Sequence, residues 1–137
     1  MQNTKAPIGY WIKQADNLLT NKIDAIQAEF GLNRTAWQIL NSIQENENLN
    51  KHALIELMRP FVAVEKINKA LADFISNDLI TLNDNVALTE KGQELFKQCL
   101  EKQKEFRLIT MKDISPEDYQ TTLETLQKIV NNIEKLA

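Results

Sequence analysis

The sequence has little of what many small folds rely on: one cysteine, three glycines and three prolines in 137 residues. A single thiol cannot close an internal disulfide, so Cys99, set in a stretch of helical spacing, reads as a buried and inert side chain, with redox sensing the weaker alternative. So few Gly and Pro cannot furnish the turns of a sandwich or barrel, and helix should dominate. No window holds the roughly 18 consecutive apolar residues of a membrane span. The N-terminus also lacks the basic-then-apolar layout of a secretory leader, so a cytoplasmic location with no membrane partner is expected. The lone histidine, His52, stands far from Cys99 with no metal-ligand spacing. There is no Gly-rich phosphate loop and no nucleophile motif, and the carboxylates fall on amphipathic stretches where solvated faces belong. No metal, cofactor or enzymatic chemistry is expected. Nor is there an excess of basic charge: 16 Lys and Arg against 19 Asp and Glu leave −3, the wrong sign for a surface that attracts phosphate throughout. Any DNA contact must be local.

What is present is hydrophobic residue, 43% of the chain, laid out with helical period. From Ile8 to Phe30, Trp11, Ala15, Leu18, Leu19, Ile26 and Phe30 form one stripe of a long first helix. Gly31 follows as a left-handed C-cap, with Leu32 placed to pack back on the last turn. A second helix begins after Asn33 and turns Trp37, Leu40 and Ile43 inward until the polar run 44–48. Asn50 caps a short third helix bearing Ala53, Leu54 and Leu57, which Pro60 closes by disfavouring helical geometry at Arg59. Helical spacing resumes at Val64, Ile67, Leu71, Phe74 and Ile75, so two short helices stand either side of a tight connection, the spacing of a helix-turn-helix.

After Asn77-Asp78 the pattern changes. Two short strand-like runs, 79–82 and 86–88, flank Asn83-Asp84-Asn85 and predict a β-hairpin. Thr89 caps a long helix with Leu95, Phe96, Leu100, Phe106, Leu108 and Ile109 on its apolar positions. Ser115 then caps the last helix, with Pro116 at its first position and Glu117 and Asp118 facing the positive end of its dipole. Tyr119, Leu123, Leu126, Val130, Ile133 and Ala137 alternate four and three residues apart, a narrow seam suited to lying along another helix. The fold class is mainly α, α+β by strict count: a winged helix-turn-helix with a small hairpin wing and long N- and C-terminal helices that form a dimerisation bundle. One domain spans 1–137, with a DNA-binding lobe at 33–92 and dimerisation helices at 7–32 and 93–137. Trp11, Tyr119, Leu123, Leu126, Val130 and Ile133 are the candidate dimer contacts. Packing of these faces within the one chain is the alternative.

This order of elements resembles the MarR family of dimeric winged-helix transcriptional regulators. The stretch 31–40, beginning Gly31-Leu32-Asn33-Arg34, is similar to that family's entry into its second helix. Leu88-Thr89-Glu90-Lys91-Gly92 resembles its exit from the wing, and Asp113-Ile114-Ser115-Pro116-Glu117-Asp118 the start of its last helix. The spacing agrees apart from a shortened wing. The resemblance implies a homodimer on double-stranded DNA, each subunit laying the helix at about 63–77 in the major groove of half a near-palindromic site. With Ile67, Leu71 and Phe74 facing the core, that helix would present Glu65, Lys66, Asn68, Lys69 and Asp73. Asn68 suits adenine, and Lys66 and Lys69 suit guanine or phosphate. Lys51, His52 and Arg59 are placed for backbone contacts, while Asn83 and Asn85 stand at the wing tip.

The chain departs from the family where small hydroxyl residues usually open the recognition helix: here stand Ala63, Val64 and the acidic Glu65, which phosphate repels unless it accepts from a cytosine amine. The wing has no arginine. From 51 to 77, Lys51, Arg59, Lys66 and Lys69 stand against Glu56, Glu65 and Asp73, a net of +1. Lys66 and Lys69 on a merely solvated face is the bland reading. The resemblance also implies a ligand-responsive repressor, with a small-molecule effector site between the dimer helices and the lobe. Tyr10, Trp11 and Trp37 are the aromatics available to line it, although Trp37 equally suits the core. The rival function is a winged-helix co-regulator that works through protein contacts with weak or no DNA binding.

Overall fold

A computed structural model describes residues 5–136. The chain runs α1 (Ile8–Glu29), α2 (Arg34–Glu45), α3 (Lys51–Met58), α4 (Val64–Ser76), β1 (Ile80–Leu82), β2 (Val86–Leu88), α5 (Glu90–Thr110) and α6 (Pro116–Glu134). Helix starts follow local chemistry. The side chains of Asn33, Asn50 and Ser115 accept from the backbone N–H of Ala36, Ala53 and Asp118 at 2.8, 2.7 and 3.0 Å, satisfying donors that the first helical turn leaves open. α1 stops as expected: Gly31 takes φ +73°, and the Leu32 N–H reaches back to the Gln27 carbonyl at 3.0 Å, which buries the Leu32 side chain. No helix among the described residues is long and apolar enough to cross a membrane.

The chain divides into two compact units, Met1–Gln103 and Lys104–Ala137. In the first, α2 packs on α3 and α4, α3 on α4, and the antiparallel hairpin on α2 and α4. Ile39, Leu40, Leu54, Ile67, Leu71 and Cys99 are fully enclosed at the centre. Within α3 the inward pair is Leu54 and Met58, four residues apart, and the expected Leu57 is exposed. The expected cause of the α3 stop also needs correction. Arg59 keeps helical angles (φ −60°, ψ −26°) before Pro60. The helix ends because Pro60 has no N–H to continue the ladder, and the Phe61 and Val62 N–H groups close a turn on the Met58 carbonyl.

The hairpin pairs Ile80 with Leu88 and Leu82 with Val86, one residue shorter in its first strand than the sequence pattern suggests, because Leu79 is spent on the junction. The Leu79 N–H closes α4 on the Phe74 carbonyl, and the Leu79 carbonyl accepts from Thr89 at 3.0 Å. Thr89 caps α5: its Oγ1 donates to the Asp78 carbonyl at 2.7 Å and accepts from the Gly92 N–H at 3.0 Å. Thr89 therefore ties the turn after α4 to the first turn of α5. Thr89→Val keeps the shape and removes both bonds. It is expected to cost about 1–2 kcal/mol in urea unfolding. A loss within about 0.3 kcal/mol would show that solvent replaces both partners.

Cys99 is enclosed beside Gln103, whose amide donates to Sγ at 3.4 Å. Burial pushes the thiol above its ordinary value, the Gln103 hydrogen bond pulls it down, and the charge of Glu29 adds to the rise. The protonated, enclosed thiol fits the inert role.

The second unit holds the end of α5 and α6, joined by a turn in which Asp113 takes φ +61° before the Ser115 cap. No residue of α6 is buried. Of the expected seam, Tyr119, Leu123, Val130 and Ile133 are exposed and Leu126 is half-buried, while Ala137 lies outside the described residues.

Candidate nucleic-acid interface

α4 is oriented by three buried side chains, Ile67, Leu71 and Phe74, which occupy one stripe of the helix. At about 100° per residue this places Glu65, Lys69, Ala72 and Ser76 on the opposite side, with Asn68 on one shoulder and Lys66 and Asp73 on the other. All seven are exposed. The expected presenting face therefore exists, but its members are not equivalent. Lys66, Lys69, Asp73 and Asn77 also form the wall of a cavity, whereas Glu65 and Asn68 do not.

Lys51 and His52 lie exposed in the first turn of α3, where the helix dipole adds to the positive charge of Lys51. Arg59 stands at the α3 C-cap and pairs with Glu56 at 3.1 Å; both side chains are about half exposed, so a phosphate can replace the carboxylate at little cost. Ala63 is the N-cap of α4 and offers no side-chain cap, while its carbonyl accepts from the Lys66 N–H at 3.0 Å. The wing is short. Asn83 and Asn85 are exposed at its tip, bridged by the Asn83 N–H on the Asn85 carbonyl at 3.1 Å. With its amide turned to satisfy both ends, Asn85 donates to the Asn48 carbonyl at 3.3 Å and so is tied back to the loop after α2. The Val86 N–H binds the Leu49 carbonyl at 2.7 Å and anchors the same corner.

Two ring pairs hold the aromatic residues expected to line an effector site. Tyr10 packs edge-on against Trp11 at 4.9 Å, and Trp37 stacks on Phe96 at 4.8 Å with rings 5° from parallel. A cavity of about 560 Å³ instead opens between the α1–α2 corner, α4 and the start of α5. Phe30, Leu32, Phe74, Leu79 and Leu95 make its apolar surface, and Lys66, Lys69 and Lys91 face it against a single acidic residue, Asp73. Lys91 is held there by donating to the Asn77 carbonyl at 3.0 Å. No periodic signal marks such a site, because its walls come from three separated segments. Lys66, Lys69 and Asp73 belong to the expected α4 face and Lys91 to the stretch 88–92, but no spacing in the sequence joins them. Among the described residues there is no cluster of three His, Cys, Asp or Glu side chains able to hold a metal ion.

A helix-turn-helix whose second helix is outward-facing and followed by a hairpin defines a winged-helix protein. Its fold is that of the MarR family regulators. The chain is similar to MepR, a transcription regulator of the Staphylococcus aureus multidrug efflux pump MepA, over 93% of this chain and 99% of that one (TM-score 0.74, 14% identity). It is similar also to Rv2887, a Mycobacterium tuberculosis MarR family protein solved in complex with DNA, over 91% and 98% (TM-score 0.70, 17% identity). The reduced form of MarR from Escherichia coli matches over 90% and 93% (TM-score 0.67, 16% identity). No protein-family model matches the sequence, and no curated protein matches it.

Proposed function

We propose that the chain is a MarR-like DNA-binding transcriptional regulator, a homodimeric repressor that reads a near-palindromic site and releases it in response to a small molecule. The observation that carries this reading is α4, whose buried stripe of Ile67, Leu71 and Phe74 leaves Glu65, Asn68 and Lys69 facing outward. Rv2887 and MepR, which share the fold, have both been solved on DNA. Lys51, His52 and Arg59 supply sequence-independent phosphate contacts, and the α4 face supplies base contacts. The wing contributes little, since Asn83 and Asn85 carry no charge and the tip is short.

Dimerisation is supported by apolar surface that the single chain leaves in water. In α1, Ile8, Trp11 and Ile12 are exposed, and in α6, Tyr119, Val130 and Ile133 are. A second copy covering these faces would fix the separation of two recognition helices. The effector site in this reading is the cavity beside α4. Its apolar floor and three lysines suit an anion with an apolar body, and such a ligand would engage Lys66 and Lys69 at the expense of DNA.

The test is a gel shift of the purified dimer with its own promoter region at low and physiological salt. A shift that weakens with salt is expected, and Lys69→Ala should reduce the slope of log K against log salt by about one if Lys69 meets phosphate. An unchanged slope removes that contact. A dimer that shifts no fragment at either salt sinks the repressor and favours the co-regulator, a reading that Glu65 and the arginine-free wing support.

A further inference from the structure

The acidic residue on the outward face of α4 invites an explanation. Glu65 lies opposite the buried stripe, in the first turn of the helix, and is exposed. Among the described residues its carboxylate makes no ion pair, the two pairs present being Arg34 with Asp24 and Arg59 with Glu56. Lys69, one turn on and on the same side, is not within pairing distance and lines the cavity instead. Ala72, two turns on, lies on the same side of the helix, with Asn68 and Lys69 exposed on the turn between.

A carboxylate in this position is repelled by phosphate and also by most base edges. In the major groove, guanine offers N7 and O6 and thymine offers O4, all acceptors, which an ionised carboxylate cannot satisfy. Cytosine offers the N4 amine as a donor with no acceptor of its own on that edge, guanine O6 lying only across the pair, so a carboxylate can approach from the C5 side. Adenine offers one donor next to the N7 acceptor, an edge that suits the amide of Asn68 better than a carboxylate. Glu65 therefore discriminates mainly by the cost of wrong partners, since a desolvated carboxylate left against O6 or O4 is more expensive than a lost contact.

We propose that Glu65 is a specificity-determining residue that requires cytosine at one position of each half-site. It rests on the DNA-binding reading above and goes beyond it by assigning a base to a residue. Asn68 and Lys69, on the neighbouring turn, read the adjacent pairs. The order of contacts along α4 makes the cytosine the base met by the leading end of the helix.

The experiment is a selection from duplexes of about 30 base pairs with a randomised centre, run in parallel with wild type, Glu65→Gln and Glu65→Ala. All three are expected to fold, because Glu65 is exposed and makes no ion pair among the described residues, its one evident local role being a first-turn charge on α4. Wild type should enrich duplexes with an invariant cytosine in each half-site. Both variants should lose that invariance, and on the wild-type site they should bind about tenfold more weakly, while duplexes with thymine at that position lose nothing. If Glu65→Ala instead binds every duplex more tightly and selects the same sequence as wild type, Glu65 is only a repelling charge and the proposal is overturned. Failure of the wild type to enrich any duplex overturns the proposal together with the DNA-binding reading, an outcome distinguishable from the first because no variant is needed to see it.

Discussion

Gly92→Ala is expected to destabilise the protein by about 2–3 kcal/mol, although it places a better helix former inside a helix. Gly92 is buried in the first turn of α5, and a Cβ there would run into the carbonyl oxygen of Leu79. That carbonyl cannot swing aside freely. It accepts from the Thr89 N–H at 3.0 Å, and Leu79 is itself pinned by its N–H on the Phe74 carbonyl at 2.8 Å. Helix propensity favours alanine by about 1 kcal/mol, whereas overpacking an interior costs about 1–3 kcal/mol and occasionally more, and a contact this close with backbone belongs at or above the upper end, so the clash wins. The midpoint of thermal unfolding should fall by on the order of 10 °C. Gly9→Ala supplies the contrast: Gly9 lies in the exposed start of α1 with nothing within 4 Å of an added Cβ, and its replacement should be neutral or slightly stabilising. A Gly92→Ala protein as stable as wild type in urea would show that the hairpin can slide on α5, against the fixed junction described above.

This junction also shows where sequence reasoning reached and where it stopped. The stretch Leu88-Thr89-Glu90-Lys91-Gly92 stands out as a pattern, but its meaning is spatial: Thr89 bridges Asp78 to Gly92, and Gly92 is small because Leu79, thirteen residues earlier, lies against it. Elements specified by their own residues were legible. Asn50 and Ser115 cap as their types and positions demand, Gly31 supplies the positive φ, and the 67, 71, 74 stripe of α4 follows directly from helical period. The register of α3 was not legible, because in an eight-residue helix Leu54 with Leu57 and Leu54 with Met58 are equally good faces, and contact with α2 and α4 decides between them. Met58 also receives the Ser42 hydroxyl on its sulfur at 3.6 Å, a contact made across sixteen residues.

The presenting face of α4 was legible as a set but not in its division of labour. Periodicity alone treats Lys66, Asn68 and Lys69 as equivalent. The corner made by Gly31 and Leu32 and the first turn of α5 place a cavity on one shoulder, and Lys66 and Lys69 line it while Asn68 does not. The cavity and the outward face of α4 thereby share residues. Under the proposed function, release would need no long-range signal, since a bound anion would compete for the two lysines directly.

Ile133→Asp combined with Val130→Asp should leave a monomer and reduce binding to a two-half-site duplex by about 10²–10⁴-fold. In the single chain these two side chains are 61% and 53% exposed, so nothing within the chain requires them to be apolar. Burial against a second copy would return about 1.5–3 kcal/mol for each on each protomer, and two aspartates in their place would have to be desolvated without partners. With one recognition helix per particle, the second half-site is no longer reached as an intramolecular step, which is the source of the large factor. Sedimentation at micromolar concentration should give a dimer for wild type and a monomer for the variant. The Trp37–Phe96 stack, in the other unit, reports whether the lobe itself stays folded, and its near-ultraviolet signal should be unchanged. The variant on a single half-site should then bind as wild type does. A wild-type monomer, or a variant dimer, would show that the apolar face of α6 serves some other contact, and under the proposed function one recognition helix per particle would then have to carry the whole of the DNA affinity.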